Sequence, residues 1–374
     1  MGKAMWRLTD NLEWESLRNT FPWIRDMEGV EQDPIFHAEG NVAIHTRMVL
    51  AALQGLTEFK ALDQQTQEVM IAAALLHDVE KRSTSIKNEK GRISSPKHAK
   101  RGEFTSRRIL FQEVPAPFAL REQVAKLVRY HGLPLLAFDK PNPQRYLLKA
   151  STEVDTRLLS MLSKADVLGR ICDDQDDLLY SIACFDAYAK EQECWGEAYP
   201  FASDLARFTY FQQDQGYPAY EPFDDTWSEV ILMVGLPGMG KDTYISSHFS
   251  NLPVVSLDNL RRKHKVGHRD AKGNGRIIQL ALEEARQHLR VQRSFVWNAT
   301  NLTRNNRSRL IELFTTYKAR VRIVYIEVPY LLWQEQNLQR NYAVPLKVLN
   351  KMLNKLEIPS PIEAHQVDYI IEER

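Results

Sequence analysis

Residues 230–241 read Val230-Ile-Leu-Met-Val-Gly-Leu-Pro-Gly-Met-Gly-Lys241, an apolar run that ends directly in a glycine-rich loop. The apolar run predicts a buried strand, and the residues that follow the loop predict a helix. Gly235, Gly238 and Gly240 would let backbone N–H groups close around phosphate oxygens, and the start of the helix adds a partial positive charge. Lys241 would reach the β- and γ-phosphates of a nucleotide. The stretch therefore predicts a phosphate-binding loop, or P-loop, between a strand and a helix.

The position after the lysine departs from the usual pattern. A serine or threonine is expected there because its hydroxyl binds the magnesium ion of the nucleotide, whereas this chain has Asp242 followed by Thr243. Asp242 could bind Mg²⁺ through its carboxylate or through a bound water, or Thr243 could serve if the helix start shifts. We favour the Asp242 carboxylate, because residue 242 occupies the position of the serine or threonine whose hydroxyl usually binds the ion.

Three further apolar runs indicate more strands in the second half of the chain. They are Val254–Leu257, Phe295–Trp297 and Val321–Val328. Helical segments separate these runs, as a parallel sheet requires. We therefore predict an α/β domain with a parallel sheet over residues 228–374.

The first half has a different pattern, which is helical from about Asn41 to Lys190. We predict an all-α domain over residues 1–194. Within it, His77-Asp78 follows the apolar run from Ile71 to Leu76, which would carry the pair into the interior. A buried carboxylate needs a partner, and a divalent metal suits a neighbouring imidazole and carboxylate.

Composition sets limits on the protein class. With 374 residues the chain is long enough for two domains, and a net charge of +1 gives no overall attraction to nucleic acid or membrane. Its three cysteines have no C-x-x-C spacing, which argues against a disulfide framework and a cysteine zinc site. No apolar run of about 18 residues occurs, and no apolar signal follows the charged start. A cytoplasmic protein is expected.

Residues 195–227 are rich in aromatic and acidic side chains, with ten aromatics and six acids against one base. A flexible linker would instead be rich in glycine and serine. We predict a connector that packs against one or both domains.

The helical half resembles the HD-domain phosphohydrolase superfamily over roughly residues 30 to 190. Segments similar to its motifs are His37-Ala-Glu-Gly-Asn-Val-Ala-Ile-His45-Thr, Leu75-Leu-His77-Asp78-Val-Glu-Lys81 and Ser163-Lys-Ala-Asp166. The resemblance implies that the metal ligands are His45, His77, Asp78 and Asp166. His98 and His131 stand where dinuclear members carry two further ligands, so two divalent transition-metal ions are expected and one remains an alternative.

That ligand set implies hydrolysis of a phosphoester. Two cations about 3.5–4 Å apart, bridged by Asp78, would activate water and neutralise charge on a phosphoryl oxygen. Lys81 and Arg101 are candidates for holding the other phosphate oxygens, although Arg101 could equally be a solvated helix charge. His37 could contact substrate or only cap its segment.

Asp258 follows the second apolar run of the α/β half, at the sheet edge where ligands bind in such folds. It could accept a proton from an acceptor hydroxyl while Arg261 holds an acceptor phosphate; an N-cap aspartate with a surface arginine is the alternative. Here the chain resembles the kinase module of polynucleotide 5′-kinases. The resemblance assigns Asp258 as general base, Arg261 as acceptor-phosphate arginine and, in a lid-like segment, Arg340 as transition-state arginine.

Charge is concentrated within the second half. Between Arg261 and Arg309 there are thirteen lysines and arginines against three acids. A polyanionic acceptor would account for this balance and would bind in a salt-sensitive way. A basic solvated face is the alternative.

Together the two halves resemble the bacterial HD-Pnk enzymes, a family of RNA end-healing proteins. The resemblance implies NTP-dependent phosphorylation of RNA 5′-OH ends, with ATP or another NTP and Mg²⁺, and metal-dependent hydrolysis of 2′,3′-cyclic phosphate or 2′-phosphate ends. RNA ends would be the substrate, an RNA ligase could act downstream, and no membrane would be involved. The alternatives are a nucleotide-metabolism enzyme that joins a small-molecule kinase to an HD nucleotidase, and a nonenzymatic, NTP-gated RNA-binding protein.

Overall fold

The computed structural model describes residues 5–267, 270–339 and 343–372. The chain divides into two compact units, Met1–Pro200 and Phe201–Arg374. The predicted connector over residues 195–227 falls on both sides of this division, and its boundaries stay a prediction. No helix in the described ranges is long and apolar enough to cross a membrane.

The first unit is built from helices, as predicted. They are α1 (Trp14–Thr20), α2 (Pro22–Arg25), α3 (Val42–Gly55), α4 (Thr57–Lys60), α5 (Gln64–Leu76), α6 (Lys81–Thr84), α7 (His98–Arg108), α8 (Phe118–Tyr130), α9 (Leu133–Leu136), α10 (Pro143–Ser151), α11 (Thr156–Leu168) and α12 (Gln175–Glu191). A π-helical turn, Ile109–Glu113, extends α7.

Side-chain caps define where the central helices of this unit begin. Asn41 caps α3, Asp63 caps α5 and Asp155 caps α11, each by accepting a hydrogen bond from a backbone N–H of the first turn. The last turns of α5 are buried all round, from Val69 to Leu76. This burial carries His77 and Asp78, which follow directly, into the interior of the helical unit.

The helical unit also contains a short antiparallel ribbon that the sequence pattern did not predict. Its strands are β1 (Ile86–Lys87) and β2 (Ile93–Ser94). The ribbon bridges α6 and α7 and lies beside the predicted metal ligands, because β2 and the residues after it lead into His98 at the start of α7.

The second unit is an α/β domain with a parallel sheet, which confirms the predicted fold class. Its strands are β3 (Ser228–Val234), β4 (Val254–Ser256), β5 (Phe295–Asn298), β6 (Ala319–Glu327) and β7 (Gln366–Ile371), in the order β4-β5-β3-β6-β7. Every pairing in this sheet is parallel. Strand β7, at the edge, was not predicted.

Helices connect these strands. They are α13 (Asp204–Gln212), α14 (Lys241–His248), α15 (Leu257–Lys263), α16 (Ala271–Arg290), α17 (Arg304–Thr316), α18 (Tyr330–Leu338) and α19 (Leu346–Leu353). Because the strands are parallel, their carboxyl ends meet at one edge of the sheet. The glycine-rich loop follows β3 at this edge, and Asp258, Asn298 and Glu327 lie at or just after the ends of β4, β5 and β6.

Helix α13, within the aromatic segment, packs on the start of the edge strand of its own unit. Arg207 donates hydrogen bonds to the carbonyls of Pro361 and His365. Phe208 stacks on the His365 ring with centroids 4.2 Å apart. His365 is buried, and its Nδ1 accepts a hydrogen bond from the Val321 N–H at 3.0 Å. The neutral imidazole is therefore part of the domain core.

We expect His365 to make the second unit less stable in mild acid. Burial, reinforced by Arg320 and Arg207 and opposed by Asp224, lowers the pKa of His365 from 6.5 to about 4. Below pH 6.5 His365 therefore binds a proton in the unfolded chain but not in the folded chain. Its contribution to the free energy of unfolding is fully present above pH 6.5 and declines as the pH falls toward 4. Between pH 7 and pH 5 the loss should be about 2 kcal/mol.

Urea unfolding of wild type and His365→Asn at a series of pH values measures this contribution. The asparagine retains an acceptor for the Val321 N–H but cannot titrate, so its unfolding free energy should change less over this interval. Equal pH dependence in both proteins would contradict the assignment to His365.

Candidate active sites

Five helical segments of the first unit deliver the six predicted metal ligands to one place. His45 lies on α3, His77 and Asp78 follow the end of α5, His98 begins α7, His131 follows α8, and Asp166 lies on α11. Except for half-buried His98, all of them are buried. The structure thus brings together residues that are up to 121 positions apart.

The ligand atoms form two groups. In the first group, His45 Nε2 lies 3.0 Å from Asp166 Oδ1 and 3.4 Å from His77 Nε2. In the second, His98 Nε2 lies 3.3 Å from His131 Nε2 and 3.4 Å from Asp78 Oδ1. Each group of three could hold one metal ion.

Asp78 lies between the two groups. Its Oδ2 is 3.7 Å from His45 Nε2 and 3.3 Å from His77 Nε2, while its Oδ1 faces His98 and His131. Oδ1 is buried and has no hydrogen-bond partner among the described residues. A buried carboxylate oxygen without a partner is costly, and a cation shared with the imidazoles would satisfy it. The donor set therefore fits a metal centre to which Asp78 would contribute beside both groups of ligands.

Backbone contacts orient the four imidazoles toward this centre. The Nδ1 atoms of His77, His98 and His131 lie 2.7–2.8 Å from the carbonyl oxygens of Ala74, Ser95 and Val128. An Nδ1 that donates to a carbonyl leaves Nε2 unprotonated, which is the form that binds a metal. His45 Nδ1 is held in the same way by the carbonyl of Gly169 and by Glu39.

Electrostatics favours the required charge states at His131 and the two carboxylates, whereas at His45 burial is outweighed by Asp166 and Glu39, which raise the pKa of its imidazole. Burial lowers the pKa of His131 to about 3, so this imidazole is neutral near pH 7. Burial by itself would raise the pKa of Asp78, but Lys81 and His77 together lower it well below its ordinary value. Asp166 behaves in the same way because Arg170 and His45 compensate its burial. Both carboxylates are therefore ionised.

A cavity of about 230 Å³ opens beside the ligands and has cationic walls. Lys81, Arg170, His37 and His98 are among its lining residues. Lys81 Nζ lies 2.8 Å from Asp78 Oδ2, and Arg170 pairs with Asp166. Arg101 is not among the lining residues, because its guanidinium donates to the carbonyl and hydroxyl of Ser83. Lys81 thus lies at the cavity, and Arg170 lines it whereas Arg101 does not.

Two residues of this site were missed from the sequence. Arg170 lies four residues after Asp166, a spacing that could have indicated it. Glu39 has a fully buried side chain, with Oε1 2.8 Å from His37 Nδ1 and 2.9 Å from His45 Nδ1. His37 thus contacts the carboxylate that supports a ligand. In the sequence, the only signal for Glu39 is its position between His37 and His45.

We expect two metal ions per chain, lost one at a time. His131→Ala should remove the ion of the His98 group and spare the other, because His45, His77 and Asp166 remain. His45→Ala should have the reverse effect. Metal content after dialysis, measured by plasma mass spectrometry, gives the count. Arg101→Ala is the control and should retain both ions, while one ion in wild type and none in either variant would indicate a mononuclear site.

In the second unit, the loop after β3 has the backbone that phosphate binding requires. Gly238 and Gly240 both adopt φ +87°, a region that favours glycine. At Gly235 a Cβ atom would lie 2.7 Å from the carbonyl oxygen of Ile326 on β6. Trp333 of α18 fixes the loop by donating its indole N–H to the carbonyl of Pro237 at 2.7 Å.

Lys241 lies over this loop at the first position of α14. Its Nζ donates to the carbonyls of Gly235 and Leu236, both at 2.9 Å. The ammonium group is thus held at the mouth of the loop. From there it faces a cavity of about 550 Å³ whose walls include the loop, Asp242, Thr243 and Asp258.

The two magnesium candidates are both at the cavity wall. Asp242 Oδ1 accepts a hydrogen bond from the Asn298 side-chain amide at 2.7 Å. Thr243 is exposed and lines the same cavity. The helix begins at Lys241, so Asp242 and Thr243 both lie in its first turn.

Asp258 and Arg261 form a pair on α15 beside this cavity. Asp258 Oδ1 lies 2.6 Å from Arg261 Nη1, and Arg261 Nε donates to Asn274 Oδ1 at 2.7 Å. Ser256 caps the helix, so Asp258 is not the N-cap residue and remains exposed. Among the residues predicted for this site, Arg340 lies outside the described residues.

Comparisons with known proteins agree with this division. Residues 42–171 match the family model for the HD domain, and residues 230–359 match a model for an AAA domain. No curated protein matches the chain.

The chain is also similar to solved kinase structures. A putative kinase from Chloroflexus aurantiacus j-10-fl has 17% identity and a TM-score of 0.34, and the match covers 39% of this chain and 86% of that one. A sugar kinase from Janibacter sp. HTCC2649 has 17% identity, a TM-score of 0.31 and coverages of 39% and 85%. A gluconokinase from Sinorhizobium meliloti 1021 has 17% identity, a TM-score of 0.28 and coverages of 39% and 83%.

The class of protein follows from the two matched regions. The chain combines an HD domain with an AAA-type P-loop domain. The HD domain implies metal binding, and the side-chain groups described above could provide it. The P-loop domain implies a nucleotide and Mg²⁺.

Proposed function

We propose that the protein heals broken RNA ends in the cytoplasm, as the HD-Pnk enzymes do. The P-loop domain would transfer the γ-phosphate of ATP or another NTP to a 5′-OH end. The HD domain would open a 2′,3′-cyclic phosphate or remove a 2′-phosphate. An RNA ligase could then seal the healed ends.

The observation that carries this proposal is the presence of two different phosphate sites on one chain. One site combines a glycine-rich loop with a lysine, and the other combines grouped metal ligands with a cationic cavity. A cleaved RNA with a 5′-OH on one side and a cyclic phosphate on the other offers a substrate to each. An enzyme of nucleotide metabolism would also use both chemistries. The choice between RNA end healing and nucleotide metabolism therefore depends on which molecule accepts the phosphate at the kinase site.

The kinase half has residues for each part of phosphoryl transfer. Backbone N–H groups of the loop and Lys241 would bind the NTP phosphates. Asp258, which also lines the cavity, would accept the proton of the attacking hydroxyl. Arg261, held by Asp258 and Asn274, would bind an acceptor phosphate, and Arg340 is proposed to stabilise the transition state.

The hydrolase half would bind its phosphate next to the metal ligands. His45, His77, Asp166, His98 and His131, with Asp78 between the groups, would hold the ions, which supply charge neutralisation and an activated water. Lys81 and Arg170 line the adjoining cavity, where they can hold phosphoryl oxygens.

Exposed cations near Asp258 favour a polyanionic acceptor. They are Arg262, Lys263, Lys265, Lys272 and Arg276. Three other members of the predicted basic stretch are paired with acids, since Arg286 and Arg290 contact Glu283 and Arg307 is buried against Glu363, whereas Arg293, Arg304 and Arg309 are also exposed. The part of the stretch nearest the proposed general base in sequence, from α15 to the start of α16, therefore holds five of the eight exposed cations that have no ion pair among the described residues.

The assignment can be tested on one short RNA that carries a 5′-OH and a 2′,3′-cyclic phosphate. The protein is incubated with this RNA, ATP, Mg²⁺ and a divalent transition metal, and both ends are read by mass spectrometry. Gain of a 5′-phosphate together with opening or removal of the cyclic phosphate is expected. Unchanged RNA with turnover of free nucleotides would support the nucleotide-metabolism enzyme, and nucleotide binding without any transfer would support an NTP-gated binding protein.

The two activities should be separable by mutation. Lys241→Ala and Asp258→Ala should abolish phosphate transfer and spare hydrolysis, because neither residue belongs to the helical unit. Asp78→Ala should do the reverse. The same RNA assay measures both ends in each variant, and loss of both activities in either variant would contradict two independent sites.

We expect the exposed cations to act on RNA acceptors specifically. The triple substitution of Lys263, Lys265 and Lys272 by alanine should raise KM for a 5′-OH oligonucleotide by about tenfold or more at low salt and flatten its salt dependence. The matched control substitutes Arg286, Arg290 and Arg293, which lie at or just after the other end of α16. Equal effects of the two triple variants, or an equal effect on a short nucleoside acceptor, would argue against RNA binding at this surface.

A further inference from the structure

Two positions that usually form the magnesium site of a P-loop enzyme carry unusual residues in this chain. They are the residue after Lys241 and the last residue of strand β5. In P-loop enzymes a hydroxyl residue follows the lysine, and an acid at the end of a neighbouring strand completes the magnesium site. Here the residue after Lys241 is the acid, Asp242, and the neighbouring strand β5 ends in the neutral amide of Asn298. The site still has one acidic and one neutral polar side chain. Compared with the usual arrangement, the acid is on the helix and the neutral residue is at the end of the strand.

The structure places these two side chains in contact. Strand β5 pairs directly with β3, so the end of β5 lies beside the loop that follows β3. Asn298 is 9% exposed, and its amide donates to Asp242 Oδ1 at 2.7 Å. Asp242 Oδ2 has no hydrogen-bond partner among the described residues. Both residues line the cavity that the loop and Lys241 also line.

Electrostatics explains why only one of the two can be an acid. Two carboxylates within hydrogen-bond distance would repel each other, and one would have to be protonated. An amide that donates to the carboxylate holds it in place and leaves it ionised. The pair therefore works in either order, provided that one member is neutral.

The position of Asp242 also creates a requirement for a cation. It lies in the first turn of α14, where the phosphates of a nucleotide would approach. A carboxylate there repels the phosphates unless a divalent ion lies between them. A hydroxyl at this position would impose no such penalty.

We propose that Asp242 and Asn298 have exchanged the two roles of the magnesium site. Asp242 supplies the carboxylate ligand from the helix, and Asn298 is a positioning residue that orients it from the strand. The carboxylate makes nucleotide binding conditional on Mg²⁺. This inference rests on the proposed kinase function of the same site.

The test compares ATP affinity with Mg²⁺ and with EDTA, by isothermal titration calorimetry, in four full-length proteins. These are wild type, Asp242→Thr, Asn298→Asp and the double variant. Wild type should bind ATP at least about tenfold more tightly with Mg²⁺ than with EDTA. Asp242→Thr should lose most of this ratio, mainly because its affinity in EDTA rises. The double variant, which restores the usual order, should recover the ratio.

Other outcomes would overturn the exchange. One is an unchanged ratio in Asp242→Thr, and another is a double variant no different from Asp242→Thr. Loss of the ratio in Thr243→Ala, with Asp242→Thr unaffected, would assign the metal to the threonine instead. Hydrolysis by the HD domain and the thermal unfolding curve show whether each variant is folded. No ATP binding by folded wild type in either condition would reject the kinase function itself, whereas binding without a Mg²⁺ effect would reject only the exchange.

Discussion

Buried carboxylates must be compensated by positive charge, and this requirement organises the interior of the helical domain. Asp78 and Asp166 lie among apolar helices, where an uncompensated charge would cost several kcal/mol. Lys81 and Arg170 each pair with one of them from the rim of the cavity, and imidazoles surround both. These contacts offset the cost of burying the two acids, and the same side chains form groups that could hold metal ions beside a cavity lined by Lys81 and Arg170.

In the α/β domain, the groups available to compensate negative charge are chiefly backbone N–H groups rather than cationic side chains. Its parallel strands direct their carboxyl ends to one edge, and the glycine loop after β3 leaves N–H groups available there. This arrangement depends on close packing, since Gly235 approaches β6 so closely that no side chain fits. Trp333 then ties the loop to α18, so the shape of the phosphate cradle is set before a nucleotide binds.

The sequence predicted those features that are local or that recur in a fixed order. The strand Ser228–Val234 and the end of α5 are apolar runs next to distinctive residues, so their type and place were evident. Edge strand β7 was missed because it pairs on one side only and its Gln366 and Asp368 interrupt the apolar pattern. Arg307 seemed part of a basic surface, yet it is buried against Glu363, 56 residues away. Such pairings depend on tertiary contacts that no local pattern records.

The two domains share one electrostatic principle despite unrelated folds. Each places a carboxylate where the proposed function would bring an anionic phosphate: Asp78 in the helical domain and Asp242 in the P-loop domain. Taken alone, each carboxylate would repel its substrate. Each contacts a neighbouring donor: Lys81 lies 2.8 Å from Asp78 Oδ2, and the Asn298 amide donates to Asp242 Oδ1 at 2.7 Å. Under the proposed function, substrate binding at each site would depend on a cation between two negative groups, so metal supply would affect both activities through the same physical cause.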